Sequence, residues 1–158
     1  MSELYYLAFL SEDIPDDYMQ RQCPPRITML PRFEIQDTEI AQEIGRHIAK
    51  LIPPIAIHLG ENAMYGMAKS SLGRSVDDNS DLMTLHFALE NHIDQRGGTF
   101  QRSVNRGLRY RPHVPLRSKA ARKLPDDLVI EHFSLVERPE RGQRHVVETF
   151  KLTGVLHG

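Results

Sequence analysis

Two tripeptides in this 158-residue chain, Arg26-Ile27-Thr28 and His113-Val114-Pro115, carry side chains that bind anions or move protons. A guanidinium stays protonated at any ordinary pH and offers a planar fork of donors, so Arg26 can hold an oxyanion but cannot accept a proton. A hydroxyl such as that of Thr28 donates and accepts. On a strand, residues two apart point to the same face, which would set Arg26 and Thr28 side by side. Imidazole titrates near neutrality and serves as acid or base, so His113 is the candidate for proton transfer. Taken one at a time, the two tripeptides also fit a surface arginine and an ordinary core or edge histidine.

Other reactive side chains fall into weaker patterns. Eight histidines raise the question of a metal, but His86 and His92 are six apart on an expected helix and do not share a face in the way a three- or four-residue spacing would, so no metal and no cofactor is expected. His47 and His58 belong to different elements, and His157 is near a terminus. Asp77, Asp78 and Asp81 precede a helix, where capping and dipole complementarity account for them. The single cysteine, Cys23, sits beside Pro24-Pro25 with no histidine or acid partner suggested, so it is read as a bystander thiol. Glycine-rich phosphate loops, nucleophile elbows and finger spacings are absent from the sequence.

Charge is unevenly spread. The net value is -1, yet nine basic residues and no acidic one lie between Arg96 and Lys123, which leaves -10 for the rest. Such a segment can draw in a phosphate-bearing ligand, or act as a solvated face that keeps the chain soluble.

These side chains need elements to position them. With 40% apolar and 26% charged residues the chain reads as one globular domain over residues 1-158. The run Leu4 to Leu10 follows Glu3 and is too short to span a bilayer, so it reads as a buried strand; with one cysteine, a reducing cytoplasmic setting is expected, with no membrane partner. Ile27 to Leu30 reads as a second strand stopped by Pro31. Asp37 or Thr38 caps a helix with Ile40, Ile44, Ile48 and Leu51 at helical spacing, ended by Pro53-Pro54. Ile55 to Leu59 is strand-like, and Ser70 to Ser80 reads as a polar connection. Leu82, Leu85, Leu89 and Ile93 then mark a second helix, capped by the Asn79-Ser80 pair and closed by Gly97-Gly98. Strands are expected at His113 to Leu116, at Leu128 to Val136 and at His145 to Leu152, the last two joined by a turn at Pro139 and Gly142. The order predicts an α+β fold with antiparallel sheet and outer helices, not a doubly wound one.

On these elements the chain resembles the 2H phosphoesterase superfamily, which includes the 2'-5' RNA ligase-like proteins and the cyclic phosphodiesterases of RNA ends. Arg26-Ile27-Thr28-Met29-Leu30-Pro31-Arg32-Phe33 is similar to that family's His-x-Thr-Leu-x-x-x-Phe strand. Tyr110-Arg111-Pro112-His113-Val114-Pro115-Leu116 is similar to its second such strand, and the strand-rich stretch from Leu128 to Leu152 matches its usual ending. The resemblance implies two lobes, each a sheet with helices outside, around a central cleft with one motif on either wall, binding a nucleotide or RNA phosphate without a metal.

Within that likeness the first histidine is Arg26 and the second threonine is Pro115, so only Thr28 and His113 carry over. Loss of one positioned acid or base costs about a hundredfold to ten-thousandfold in rate. The expectation is therefore a ligand-binding protein with weak or lost phosphodiesterase activity. In it His113 and Thr28 are the catalytic remnant, and Arg26, Arg111, Tyr65 and Tyr110 hold the ligand. Of the arginines flanking His113 (Arg109, Arg111, Arg117), Arg111 is closest in register, while Tyr65, Phe100 and Tyr110 could stack on a base or pack in the core. The alternatives are an active 2',3'-cyclic or 2'-5' phosphodiesterase that uses His113, and a protein-interaction domain with a vestigial cleft. Nothing in the pattern fixes an oligomeric state.

Overall fold

The computed structural model describes residues 2-65, 71-100, 106-139 and 142-155. Among the described residues ten strands and three α-helices follow the chain in the order β1 (Ser2–Phe9), β2 (Asp17–Met19), β3 (Arg26–Ile35), α1 (Thr38–Ala49), β4 (Ile55–Tyr65), β5 (Ser71–Val76), α2 (Ser80–Gln95), β6 (Thr99–Phe100), β7 (His113–Pro115), α3 (Lys119–Arg122), β8 (Asp127–Ile130), β9 (His132–Glu137) and β10 (Gln143–Lys151). They form a six-stranded sheet in the order β2-β10-β9-β1-β3-β6 and a four-stranded sheet in the order β7-β5-β4-β8, with every pair antiparallel.

Alternation along β1 explains the layering. Leu4, Tyr6 and Ala8 enter the main core, while Leu7 and Phe9 point the other way into a small cluster with Cys23 and Val136. One main core joins residues of the six-stranded sheet (Ile27, Phe33), the helices (Ile44, Leu82) and the four-stranded sheet (Ile55, Val114). Both long helices pack on the first face of the six-stranded sheet. Gly45 of α1 lies so close to Phe150 that an added Cβ would come within 2.5 Å of the ring, and the Tyr6 hydroxyl donates to the Ala41 carbonyl at 2.7 Å. On its other face the six-stranded sheet curls: the Tyr18 ring at its β2 edge meets Phe9 on β1, three strands away, at 5.8 Å.

Both helix caps act as the sequence predicts. Asp37 accepts from the Glu39 N–H and Asn79 from the Leu82 N–H. Gly97 closes α2 with a left-handed φ of +84°, and Gly142 makes the β9-β10 turn at φ +83°. Several expectations need correction. Leu51 lies beyond the end of α1 and is 63% exposed rather than core. The expected polar connection before α2 contains β5, and β4 extends to Tyr65 to pair with it. The stretch 128-136 is two strands in different sheets, parted at Glu131. No helix among the described residues is long and apolar enough to cross a membrane.

Candidate functional site

The first motif sits on β3, a long strand paired with β1 on one side and β6 on the other. Ile27 and Met29 are fully buried in the main core, so Arg26 and Thr28 face the opposite way and are half-buried. Thr28 stands opposite Leu7 and Arg26 opposite Phe9, on the concave side of the curled sheet.

The second motif sits on β7, three residues at the edge of the four-stranded sheet, with β3 against it. Val114 is fully buried, and this turns His113 and Pro115 outward. The Leu116 N–H donates to the Leu72 carbonyl, so the backbone groups of residues 113 and 115 point away from β5 toward the open edge. Proline is tolerated there because no ladder bond needs its missing N–H.

Side chains, more than strand pairing, hold His113. Its ring stacks on Tyr65 with centroids 3.8 Å apart and planes 8° off parallel, and the Arg111 guanidinium lies 4.6 Å from the Tyr65 centroid. Gly73 makes room for this stack, since a Cβ there would be 2.9 Å from His113 Cδ2 and 2.9 Å from Tyr65 Cδ2. The His113 Nδ1 is 2.9 Å from the Arg111 carbonyl. A carbonyl only accepts, so Nδ1 carries the proton and Nε2 keeps its lone pair. Burial lowers the pKa of the imidazole, and the charges of Arg111 and Arg26 push the same way against the bonded carbonyl. His113 is thus neutral at pH 7, in the tautomer of a proton acceptor, and within the field of Arg26.

Thr28 is held from behind. The Tyr110 hydroxyl donates to its carbonyl at 2.6 Å, and the buried Tyr110 ring stacks on His86 at 3.8 Å. His86, fully buried, donates from Nδ1 to the Met29 carbonyl (2.7 Å) and accepts at Nε2 from the Gly107 N–H (3.1 Å). Both its nitrogens are occupied only in the neutral form, and burial lowers its pKa in keeping. His86 therefore joins α2, β3 and the turn before β7. Sequence reasoning considered His86 only as a metal ligand. Its place four residues after Leu82 and three before Leu89 would have put it on the buried face of α2.

A cavity of about 720 Å³ is bordered by Tyr65, Tyr110, Arg111, Ser75, Asp77 and Asp78, and His113, Thr28 and Arg26 are not among the residues that line it. Tyr65 and Arg111 surround His113, the Tyr110 hydroxyl bonds the Thr28 carbonyl, and the charge of Arg26 acts on His113. Arg109 and Arg117 are exposed, and no contact among the described residues ties either to His113. Phe100 packs against Phe33 on the far edge of the six-stranded sheet, with Arg106 over its ring at 4.3 Å. Arg102 lies outside the described residues. Cys23 is buried, and that burial raises its thiol pKa, which suits an inert thiol.

Solved structures align with this architecture from end to end. TT0787 of Thermus thermophilus superposes with a TM-score of 0.65 over 96% of this chain and 98% of that one, at 17% identity. LigT of E. coli complexed with 3'-AMP superposes with a TM-score of 0.67 at 13% identity and the same coverage, and a crystal structure described as a phosphoesterase does so with the same figures. The fold is that of the LigT-like 2H phosphoesterases. The likeness read from the two motif strands is borne out at the level of architecture, which is what such identities establish. LigT has also been crystallised with NADP+, ATP and phosphate. No protein-family model matches the sequence, and no curated protein does either.

Proposed function

We propose that this protein binds the phosphate of a nucleotide or RNA end in the groove between β3 and β7, with phosphodiesterase turnover weak or lost. One observation carries the reading: a neutral histidine with its Nε2 lone pair available, in the field of an arginine that occupies the partner motif. Arg26 would grip two phosphate oxygens, Thr28 would hold a third through its hydroxyl, and Arg111 would add charge at the rim. Tyr65 would orient His113, and Tyr110, its hydroxyl spent on the Thr28 carbonyl, would fix the strand.

For chemistry on a phosphodiester, His113 can take the proton from an attacking hydroxyl or water as the new P–O bond forms. The departing oxygen then needs a proton from the opposite wall, where Arg26 does not release one at ordinary pH. Pro115 brings no hydroxyl to steady the charge on phosphorus oxygens. Half of an acid-base pair therefore remains, which supports capture over turnover.

A second reading, slow hydrolysis of 2',3'-cyclic or 2'-5'-linked substrates, is favoured by the fixed tautomer and lowered pKa of His113, both of which suit a general base. Incubation with 2',3'-cyclic nucleotides, 2'-5'-linked dinucleotides and cyclic oligonucleotides, with product and melting temperature followed together, separates the readings. A ligand-induced rise in melting temperature without product is the expected result. Product that disappears in His113→Ala would favour the enzyme, and no shift with any phosphate ligand would leave a vestigial cleft and a protein partner instead.

A further inference from the structure

Inside the curl of the six-stranded sheet a second cationic group has no assigned task. Arg144, on β10 opposite Tyr18 of β2, is 9% exposed, and its Nε has no hydrogen-bond partner. Among the described residues its one hydrogen bond runs from Nη1 to the carbonyl of its own neighbour, Gln143, at 2.8 Å. No carboxylate among the described residues pairs with it: Asp17, on the adjoining strand, is bonded to His145 at 2.7 Å. Desolvating a buried guanidinium is costly unless an anion or a set of acceptors meets it. Among the described residues no carboxylate meets it, and a single carbonyl, that of Gln143, accepts from it.

The surroundings explain what could meet it. Arg144 borders a cavity of about 430 Å³ together with Tyr18, Gln22, Gln143, Met19 and Asp17. That space admits a group the size of a phosphate, and the Gln22 amide offers donors to a second oxygen. Tyr18 and Tyr5 join their hydroxyls at 3.3 Å across the floor of the curl, and the charges of both Arg144 and Arg26 act on Tyr5 and Cys23. The two arginines thus belong to one concave face, Arg26 toward the His113 groove and Arg144 toward the β2 edge.

We infer that the cavity at Arg144 is a second oxyanion site, separate from the His113 groove, that takes a phosphate group through the buried guanidinium. The phosphate can come free in solution or on a nucleotide that carries a second one. Its capture neutralises a charge that no described carboxylate pairs with, and it does not depend on any catalytic role for His113.

The test follows the Nε–Hε resonance of Arg144 in the full-length protein while inorganic phosphate is added at constant ionic strength. A shift that saturates between about 0.1 and 10 mM is expected, unchanged in Arg26→Gln, where a ligand confined to the His113 groove would lose its hold. Adenosine 3',5'-bisphosphate is then compared with 3'-AMP. Binding at least tenfold tighter, with the gain abolished in Arg144→Met, assigns the site to a nucleotide-borne phosphate; saturation by inorganic phosphate with no such gain assigns it to the free ion. A resonance that does not move up to about 50 mM phosphate, or moves equally with chloride, overturns the inference. The wild-type titration decides the matter even where Arg144→Met fails to fold.

Discussion

The two motif strands, β3 and β7, which are the walls of the proposed groove, hold their polar residues by different means. On the β3 wall, Arg26 and Thr28 are placed by a ten-residue strand with paired neighbours and two fully buried residues behind, Ile27 and Met29. On the β7 wall, a three-residue edge strand fixes only the direction of His113, and the ring's position comes from Tyr65, Gly73 and the Arg111 carbonyl. The permanently charged side is thus built into the sheet, whereas the titratable side rests on a stack of side chains. Damage to the first should unfold the protein, and damage to the second should spoil the site while leaving the fold.

The largest expected effect is on the β3 wall. Ile27→Ala should cost about 2–5 kcal/mol in chemical denaturation, as a truncated core residue does. If it were tolerated with less than about 1 kcal/mol, β3 would not be the rigid wall. Gly73→Val comes next, at about 1–3 kcal/mol from overpacking. Its distinguishing sign is loss of the ligand-induced melting shift, because the new methyls would occupy the space of the His113 and Tyr65 rings. A variant that kept its melting shift would break the claim that the stack sets the β7 wall.

Tyr110→Phe tests the tie between the walls. It leaves the Thr28 carbonyl without its donor and should cost about 1–3 kcal/mol, together with weaker phosphate binding measured by calorimetry. The smallest effect concerns pH. Burial holds the pKa values of His113 and His86 below the ordinary 6.5 in the folded protein, so the unfolded chain binds more protons as the solution is acidified. Stability should be full above pH 6.5 and decline as pH falls through that value toward the folded pKa values. Replacing His113 with Asn should flatten part of the slope, and an NMR titration that showed His113 protonating above 6.5 would contradict the assigned environment.

Sequence pattern went furthest where burial follows a period. The apolar run of β1 and the spacing of Leu82, Leu85, Leu89 and Ile93 in α2 were readable because these elements meet a core, whereas the strand expected to stop at Pro31 runs through it to Ile35. β5 escaped because Ser71–Val76 is mostly polar: Leu72 is 43% exposed, Gly73 is there for clearance, and the strand is held by partners on both sides. Tyr65 and Tyr110 were singled out as rings beside the site, but no local signal told that one would lie flat on His113 or that the other would bond the Thr28 carbonyl. Such contacts join residues about fifty and eighty positions apart and arise from the tertiary fold. His86 shows the reverse case, a polar residue whose helical phase already announced its burial.

Pro115 has an effect on the shape of the molecule's future contacts as well as on its chemistry. An outer strand with a full set of outward N–H and C=O groups is a template on which an extended peptide, or a neighbouring sheet, can grow by strand addition. At β7 the ring removes one of those outward donors beside the histidine, so the template is interrupted. β7 and β3 lie against each other yet belong to different sheets, and an interrupted template at that edge works against their joining into one.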